Sequence, residues 1–167
     1  MRSEVELKVF CRMTLTLGLG CWLMLAACNG PIYVPDQRVF SDALTPRNRW
    51  VATSDFRDAF RAIDDNINTA AVSDPAYQNA MLTIDLGKAC LFNMVVVEHG
   101  PDEWGFCRKL AILISNDGRN FRQEAVVPGL RRVTTAVLVR RVLARYVRLQ
   151  VVEPGQRPWS VAEVHLN

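Results

Sequence analysis

Alternation of apolar and polar residues across the middle of the chain limits the fold more than any other feature of the sequence. In residues 82–86 and again in residues 110–115, every second position is leucine or isoleucine, a period typical of β-strands with one buried face. Residues 92–97 form a third apolar run, rich in valine and too short to favour a helix. An Asn-Asp-Gly sequence at 116–118 tolerates positive φ and predicts a chain reversal. The pattern therefore predicts an antiparallel β protein.

The size and charge of the chain suit one compact domain. It has 167 residues, half of them hydrophobic, and a formal net charge of +3. This length is typical of a single domain with a full core. The net charge is too small to indicate a nucleic-acid partner, so we expect none.

The N-terminal segment has the pattern of an export signal. Lys8 and Arg12 precede an apolar run at residues 13–27, which is shorter than the roughly 20 residues that span a bilayer as a helix. The run ends in Leu-Ala-Ala-Cys at 25–28, which resembles a bacterial lipobox. That resemblance implies that residues 1–27 are a lipoprotein signal peptide and that Cys28 receives a lipid. An ordinary secretory signal with an incidental cysteine, or a short anchor, is the alternative.

Domain boundaries follow from composition. Residues 28–47 contain three prolines and few periodic apolar positions, and we interpret them as a lipidated cysteine and tether. Residues 48–167 form the predicted folded domain. Asn29, rather than aspartate, follows the cysteine, and by resemblance to sorted lipoproteins this favours an outer-membrane lipoprotein facing the periplasm or the cell surface. Glu4 and Glu6 are unusual in a basic leader, so translation from Met13 is an alternative.

Four short motifs connect the predicted strands to a known family. They occur in the family's order and rough spacing, as IDLG at 84–87, SNDGRNF at 115–121, ARYVRL at 144–149 and AEV at 162–164. With them, the chain resembles the discoidin, or coagulation-factor C-type, domains and the related family 32 carbohydrate-binding modules. The resemblance implies a galactose-binding-domain-like fold, an all-β antiparallel jelly-roll β-sandwich.

Candidates for catalysis are few. The chain has two histidines, His99 and His165, and no serine or cysteine nucleophile can be assigned to His99 from spacing. The sequence also lacks zinc-type cysteine and histidine spacing and a glycine-rich phosphate loop. We therefore predict a protein that is not an enzyme.

An oxygen-rich loop is the candidate metal site. In the resembling families the corresponding loop often holds a structural calcium ion, and here it offers Asp64, Asn66 and Thr69, with Glu163 at the position of the family's C-terminal glutamate. Calcium prefers six to eight oxygen ligands, which such side chains supply. The alternative is that these side chains hydrogen-bond to their own backbone in Asx turns.

Loop tryptophans beside polar side chains are the candidate ligand site. The predicted ligand-binding residues are His99, Trp104, Arg157 and Trp159. A sugar presents an apolar ring face and a rim of hydroxyls, which an aromatic surface beside Arg or His complements. Trp50 is expected in the core instead.

Cys90 and Cys107 are the cysteines left once the signal peptide and Cys28 are set aside. An exported chain meets an oxidising compartment, which favours a disulfide between them. Such a bridge would contribute about 3 kcal/mol in the chain-entropy model. Two buried free thiols are the alternative.

These features predict a lipid-anchored, non-catalytic envelope protein that binds a glycan or another envelope polymer. The alternative is a structural or assembly lipoprotein that docks on a protein partner, which would show a broad apolar patch rather than exposed tryptophans in a concave surface.

Overall fold

The structure is a computed structural model, and it describes residues 43–167. The predicted signal peptide, the predicted lipidation at Cys28 and most of the predicted tether lie outside the described residues. Those three expectations stay predictions.

Eight β-strands dominate the described residues, with two short 3-10 helices at Arg47–Arg49 and Ala59–Ile63. Between residues 43 and 167, the structure contains no helix long and apolar enough to cross a membrane. The strands are β1 (Val51–Ser54), β2 (Ala71–Ser73), β3 (Met81–Glu98), β4 (Lys109–Ser115), β5 (Arg122–Pro128), β6 (Val133–Glu153), β7 (Trp159–Val161) and β8 (Glu163–Leu166).

Every pairing between these strands is antiparallel. The large sheet has the order β1-β3-β6-β4-β5, and β8 pairs with the C-terminal part of β3. β2 and β7 form a separate two-stranded sheet. The antiparallel all-β sandwich fold expected from the sequence is therefore confirmed.

β3 joins two segments that the sequence pattern separates, and it pairs along its length with the other long strand, β6. Residues 82–86 and 92–97 both belong to β3, which has 18 residues, and β6 has 21. Their ladder slips twice, between Asp85 and Cys90 and between Phe92 and Met94. These bulges bend the strands without ending them, which is why the apolar pattern looks interrupted where the strand continues.

The core lies on the face that the alternation predicts. Leucine and isoleucine at 82, 84 and 86 of β3, and at 110, 112 and 114 of β4, are buried. Val147, Leu149 and Val151 of β6 are buried with them. The predicted turn at 116–118 joins β4 to β5, and Gly118 has a φ of +72° there, which confirms the hairpin.

The predicted disulfide does not form, because Cys90 and Cys107 are both free and buried. Cys90 lies opposite Ala144 of β6, whereas the residue after Cys107 bonds to Glu153 at the far end of the same strand. Nine strand residues span about 30 Å, far more than the roughly 4.4–6.8 Å between the α-carbons of a disulfide. Burial raises the pKa of Cys107 to about 12, so this thiol stays protonated and inert.

Candidate functional site

Trp104 is the most exposed of the three tryptophans in residues 43–167, with 46% of its surface accessible. It lies between β3 and β4, in a concavity of about 170 Å³ to which the segment between β6 and β7 also contributes. A neighbouring concavity adds Arg157 beside the same indole. We name this surface the Trp104 groove, and its residues are Trp104, Phe106, Arg108, Gly155, Gln156 and Arg157.

Asp102 shapes the turn that presents Trp104. Its backbone carbonyl accepts the N–H of Gly105 at 2.9 Å, and its carboxylate accepts the N–H of Trp104 at 3.1 Å. The same carboxylate oxygen accepts a hydrogen bond from Arg157 Nη1 at 3.1 Å. One aspartate therefore fixes the turn and holds Arg157 near Trp104, so two of the four predicted ligand residues share a site.

Close backbone approach brings the two segments of the groove together. A Cβ at position 155 would lie 2.1 Å from the Phe106 carbonyl oxygen, so Gly155 is required there. On the other side of the turn, the Gly105 carbonyl accepts the N–H of Ser160 in β7 at 2.7 Å. The groove is thus built on the strands rather than on a free loop.

Guanidinium groups surround the exposed indole. Arg131 Cζ lies 4.0 Å from the Trp104 ring centroid, which is a cation–π contact. Glu103 pairs with Arg131 at 3.0 Å and with Arg132 at shorter range. The Arg132 guanidinium holds the pKa of Glu103 below its usual range. One face of the indole therefore meets a cation that is itself held in place.

The rim of the groove carries an excess of positive charge. Five cationic side chains and three carboxylates are linked there by ion pairs, which leaves two positive charges. They are Arg108, Lys109, Arg131, Arg132 and Arg157, with Asp102, Glu103 and Glu153. Hydrogen bonding to Arg108 holds the pKa of Glu153 low, so this carboxylate stays ionised.

His99 is not a ligand-binding residue, contrary to the prediction, because its side chain is fully buried. Its Nδ1 lies 2.8 Å from the Ser160 carbonyl and its Nε2 lies 2.9 Å from Thr134 Oγ1. Since a carbonyl only accepts, Nδ1 carries the proton and Nε2 accepts from the threonine hydroxyl. Burial lowers the pKa of His99, which favours this neutral form.

Trp159 is also wrong as a sugar-contacting residue, because only 2% of it is exposed. It opens β7 opposite Ser73 of β2, and its backbone N–H donates to Ser73 Oγ at 3.1 Å. Its ring packs edge-on against Phe56 with a centroid distance of 5.9 Å. Trp50, by contrast, is buried as predicted.

The four predicted metal ligands do come together. Asp64 accepts the Asn66 N–H at 3.0 Å and the Thr69 hydroxyl at 2.7 Å, while Glu163 accepts the same Asn66 N–H at 2.9 Å. These are the Asx-type bonds of the alternative interpretation. The second Glu163 oxygen pairs with the Arg47 guanidinium. Calcium binding here stays a prediction. The side chains as arranged do not fit a calcium ion, because the positively charged Arg47 guanidinium already pairs with Glu163.

Sequence reasoning missed the roles of Arg47, Arg131 and Phe106. Arg47 reaches Glu163 across 116 positions of the chain, and Arg131 reaches Trp104 from the turn before β6. No local pattern reports contacts at such separations. Phe106 lies two residues from Trp104, and that spacing was a signal that could have pointed to it.

The fold is similar to those of several solved family 32 carbohydrate-binding modules. A family 32 module of NanJ from Clostridium perfringens, in complex with galactose, is 21% identical with a TM-score of 0.64, covering 72% of this chain and 95% of that one. Another from C. perfringens, in complex with GalNAc-β-1,3-galactose, is 23% identical with a TM-score of 0.66, covering 74% and 98%. The module of AlyQ, in complex with 4,5-unsaturated mannuronic acid, is 18% identical with a TM-score of 0.60, covering 70% and 93%. At these identities the likeness establishes the fold.

Sequence comparison identifies the family. No curated protein sequence matches the chain. The family model of the F5/8 type C domain matches residues 45–164, which is most of the chain and includes all eight strands except the end of β8. The protein therefore belongs to the F5/8 type C, or discoidin, domain family.

Proposed function

We propose that this domain binds a carbohydrate and that the Trp104 groove is its binding surface. The observation that carries the proposal is a half-exposed indole set in a groove between two segments, with guanidinium and amide donors beside it. An aromatic face accepts the apolar face of a sugar ring, and the arginine and glutamine side chains complement its hydroxyls.

Structural relatives support the ligand class rather than one sugar. The neighbouring modules form complexes with galactose, with GalNAc-β-1,3-galactose and with an unsaturated mannuronic acid. In this chain, the two excess positive charges at the rim favour an acidic sugar over a neutral one, since arginine pairs well with carboxylates. We therefore expect the tightest binding to uronate-containing glycans.

The proposed role is binding without catalysis. His99 is buried between Ser160 and Thr134, and His165 contacts Glu98 and Arg47. Neither histidine lines the Trp104 groove as the structure describes it, and His99 meets only the ring of Phe106 behind it, at a centroid distance of 6.4 Å. The groove residues suit recognition by stacking and hydrogen bonding.

A glycan array on the chain from Asn29 onward, followed by calorimetry with the best binder, tests the function. Trp104→Ala should weaken binding at least about tenfold, or about 1.4 kcal/mol, because central aromatic contacts commonly dominate an interface. Phe60→Ala is the matched control, since Phe60 is an exposed ring that also lies near an arginine, Arg61, but outside the groove. Its affinity should equal that of the wild type. Equal binding by the Trp104 variant would exclude this surface.

Docking of a protein partner is a second candidate, favoured by exposed apolar side chains on β3 and β6. Val139 is fully exposed, Val137 is largely exposed, and Leu91 and Leu143 lie opposite each other with partial exposure. If docking is the function, Val139→Asp should abolish recovery of a crosslinked partner from the envelope, and Trp104→Ala should leave it intact. We expect the opposite dependence on Trp104 for a glycan.

The anchoring part of the proposal comes from the sequence. Residues 25–28, Leu-Ala-Ala-Cys, support lipid attachment at Cys28 and a location in the bacterial envelope. A single acyl chain binds membranes only marginally, so stable anchoring requires a multiply acylated cysteine. Cys28→Ser should release the protein from membranes or block its processing. A variant that fractionates and migrates like the wild type would refute the anchor.

A further inference from the structure

Three carboxylates converge beside the loop between the second 3-10 helix and β2. Asp64 and Asp65 follow that helix, and Glu163 opens β8. Asp64 and Glu163 both hydrogen-bond to the N–H of Asn66, so the loop is closed onto β8. We name this set the acidic loop, and it comprises Asp64, Asp65, Asn66, Thr69 and Glu163. The acidic loop is distinct from the Trp104 groove and shares no residue with it.

Arg47 inserts its guanidinium into the acidic loop from the first 3-10 helix. Nη2 forms an ion pair with Glu163 Oε2, and Nε lies 2.7 Å from Asp65 Oδ1. Nη1 donates to the Val164 carbonyl at 2.6 Å and lies 3.2 Å from His165 Nδ1. Nη1 and Nη2 therefore hydrogen-bond to β8, whereas Nε lies close to Asp65 without hydrogen-bond geometry.

The Arg47 side chain is also held from outside the acidic loop. Its Cζ lies 5.3 Å from the centroid of the Trp50 ring, and only 22% of the side chain is exposed. The Trp50 indole N–H in turn hydrogen-bonds to Thr45. A side chain that is stacked, paired and largely buried cannot leave at low cost, so Arg47 is a built-in component rather than a passing counter-ion.

The buried carboxylate of Glu163 requires a positively charged partner in the acidic loop. It is buried, with 4% exposure, and burial raises its pKa even though Arg47 acts in the opposite direction. Removing one partner of a buried pair leaves the other charge uncompensated, which destabilises strongly. A divalent ion bound to Glu163 Oε2 would have to displace the guanidinium from the same oxygen, because two cations cannot share it without repulsion.

We infer that the Arg47 guanidinium is the resident cation of the acidic loop, so that this domain folds without a divalent ion. Removing the guanidinium then allows a divalent ion to bind in the loop. The oxygens released would be those of Asp65 and Glu163, which lie beside the Asp64 carboxylate, the Asn66 amide and the Thr69 hydroxyl. That oxygen set is what a hard cation such as calcium prefers. The ligand class exposed by the variant is therefore a divalent cation of the calcium type.

The acidic loop is connected to the rest of the fold through β7. Glu163 lies three residues after Ser160, whose N–H donates to Gly105 and whose hydroxyl donates to the His99 carbonyl. The turn that carries Trp104 is thus hydrogen-bonded to β7, which directly precedes the strand that Arg47 contacts at Glu163. If Arg47 supplies the cation, the conformation of that turn should persist in a chelator.

Thermal unfolding of the purified full-length chain tests the inference, in EDTA and in CaCl₂ up to about 10 mM, above the weak affinities of extracellular calcium modules. The wild type should melt at one temperature in both conditions. Arg47→Met, which keeps the bulk of the side chain and removes its charge, should melt lower in EDTA. Calcium should then raise its melting temperature by about 5 °C or more, because a ligand that binds only the folded state stabilises it. Calorimetry with CaCl₂ alone should show binding to this variant.

Arg49→Met is the matched control, since Arg49 is an exposed arginine of the same 3-10 helix, and it should behave as the wild type does. If Arg47→Met fails to fold in EDTA, refolding by CaCl₂ is the supporting result, and failure to refold overturns the opening of a site. The double variant Arg47→Met with Glu163→Gln removes both partners and should fold without responding to calcium. A wild type whose melting temperature changes with EDTA or calcium would overturn the inference, as would an Arg47→Met variant indistinguishable from Arg49→Met.

Discussion

The Trp104 turn and the Trp159 strand look alike in the sequence and differ in the structure. Each tryptophan follows polar residues in a segment between predicted strands, yet Trp104 is 46% exposed and Trp159 is 2% exposed. Trp159 pairs with Ser73 across 86 positions of the chain and packs on Phe56, whereas Trp104 lies in a turn closed by its neighbour Asp102. Local sequence sets the turn, and a distant strand partner decides burial.

Of the substitutions that test this difference, replacing Trp159 should change the free energy of unfolding most. Trp159→Ala removes a buried indole from the packing around Phe56, so we expect a loss of about 3–5 kcal/mol in the free energy of unfolding. The melting temperature should fall by about 10 °C or more. Trp104→Ala, the matched exposed substitution, should change the free energy of unfolding by less than about 1 kcal/mol, mostly through the lost contact with Arg131. Similar melting temperatures for the two variants would contradict the difference between the two regions.

The buried His99 should cause a smaller effect, a dependence of the free energy of unfolding on pH. The pKa of His99 is lowered by burial, so the unfolded chain takes up a proton before the folded domain as the pH falls below about 6.5. The free energy of unfolding should therefore decrease between about pH 6.5 and pH 5, by at most about 1.4 kcal/mol per pH unit. Above that range the stabilising contribution of the neutral imidazole is fully present.

Chemical denaturation at several pH values measures this slope. His99→Gln cannot titrate and should lose most of the pH dependence in that window, although it should also be less stable because the bonds to Ser160 and Thr134 change. Ligand binding at the Trp104 groove should depend much less on the His99 midpoint, since His99 reaches the groove only through the Phe106 ring. An unchanged slope in the variant would show that other groups cause the acid sensitivity.

The regular parts of the fold could be predicted from local pattern. Alternation identified the buried faces of β3 and β4, and the Asn-Asp-Gly sequence identified the β4–β5 turn. β3 was predicted as two separate apolar runs, because a bulge breaks the two-residue period while the strand continues. Pairing of Cys90 with Cys107 was predicted from compartment chemistry, which carries no information on the distance between them.

Half of the candidate ligand site followed from the sequence. Trp104 and Arg157 were found because an aromatic beside charged residues in a loop is a local signal, and the structure brings them together through Asp102. His99 and Trp159 carry the same signal and are buried. Exposure depends on which strands cover a segment, and here those strands come from residues 71–73 and from the start of β6.

The sequence by itself determined the fold family, the faces of the strands and the presence of an oxygen-rich loop, because these depend on residue type at short spacing. Only the tertiary structure decided that Arg47 reaches Glu163 across 116 positions, that Arg131 stacks on Trp104 and that the two cysteines lie far apart. Contacts of this kind form when the sheet register is set, and register depends on the summed burial of whole strands rather than on any one motif.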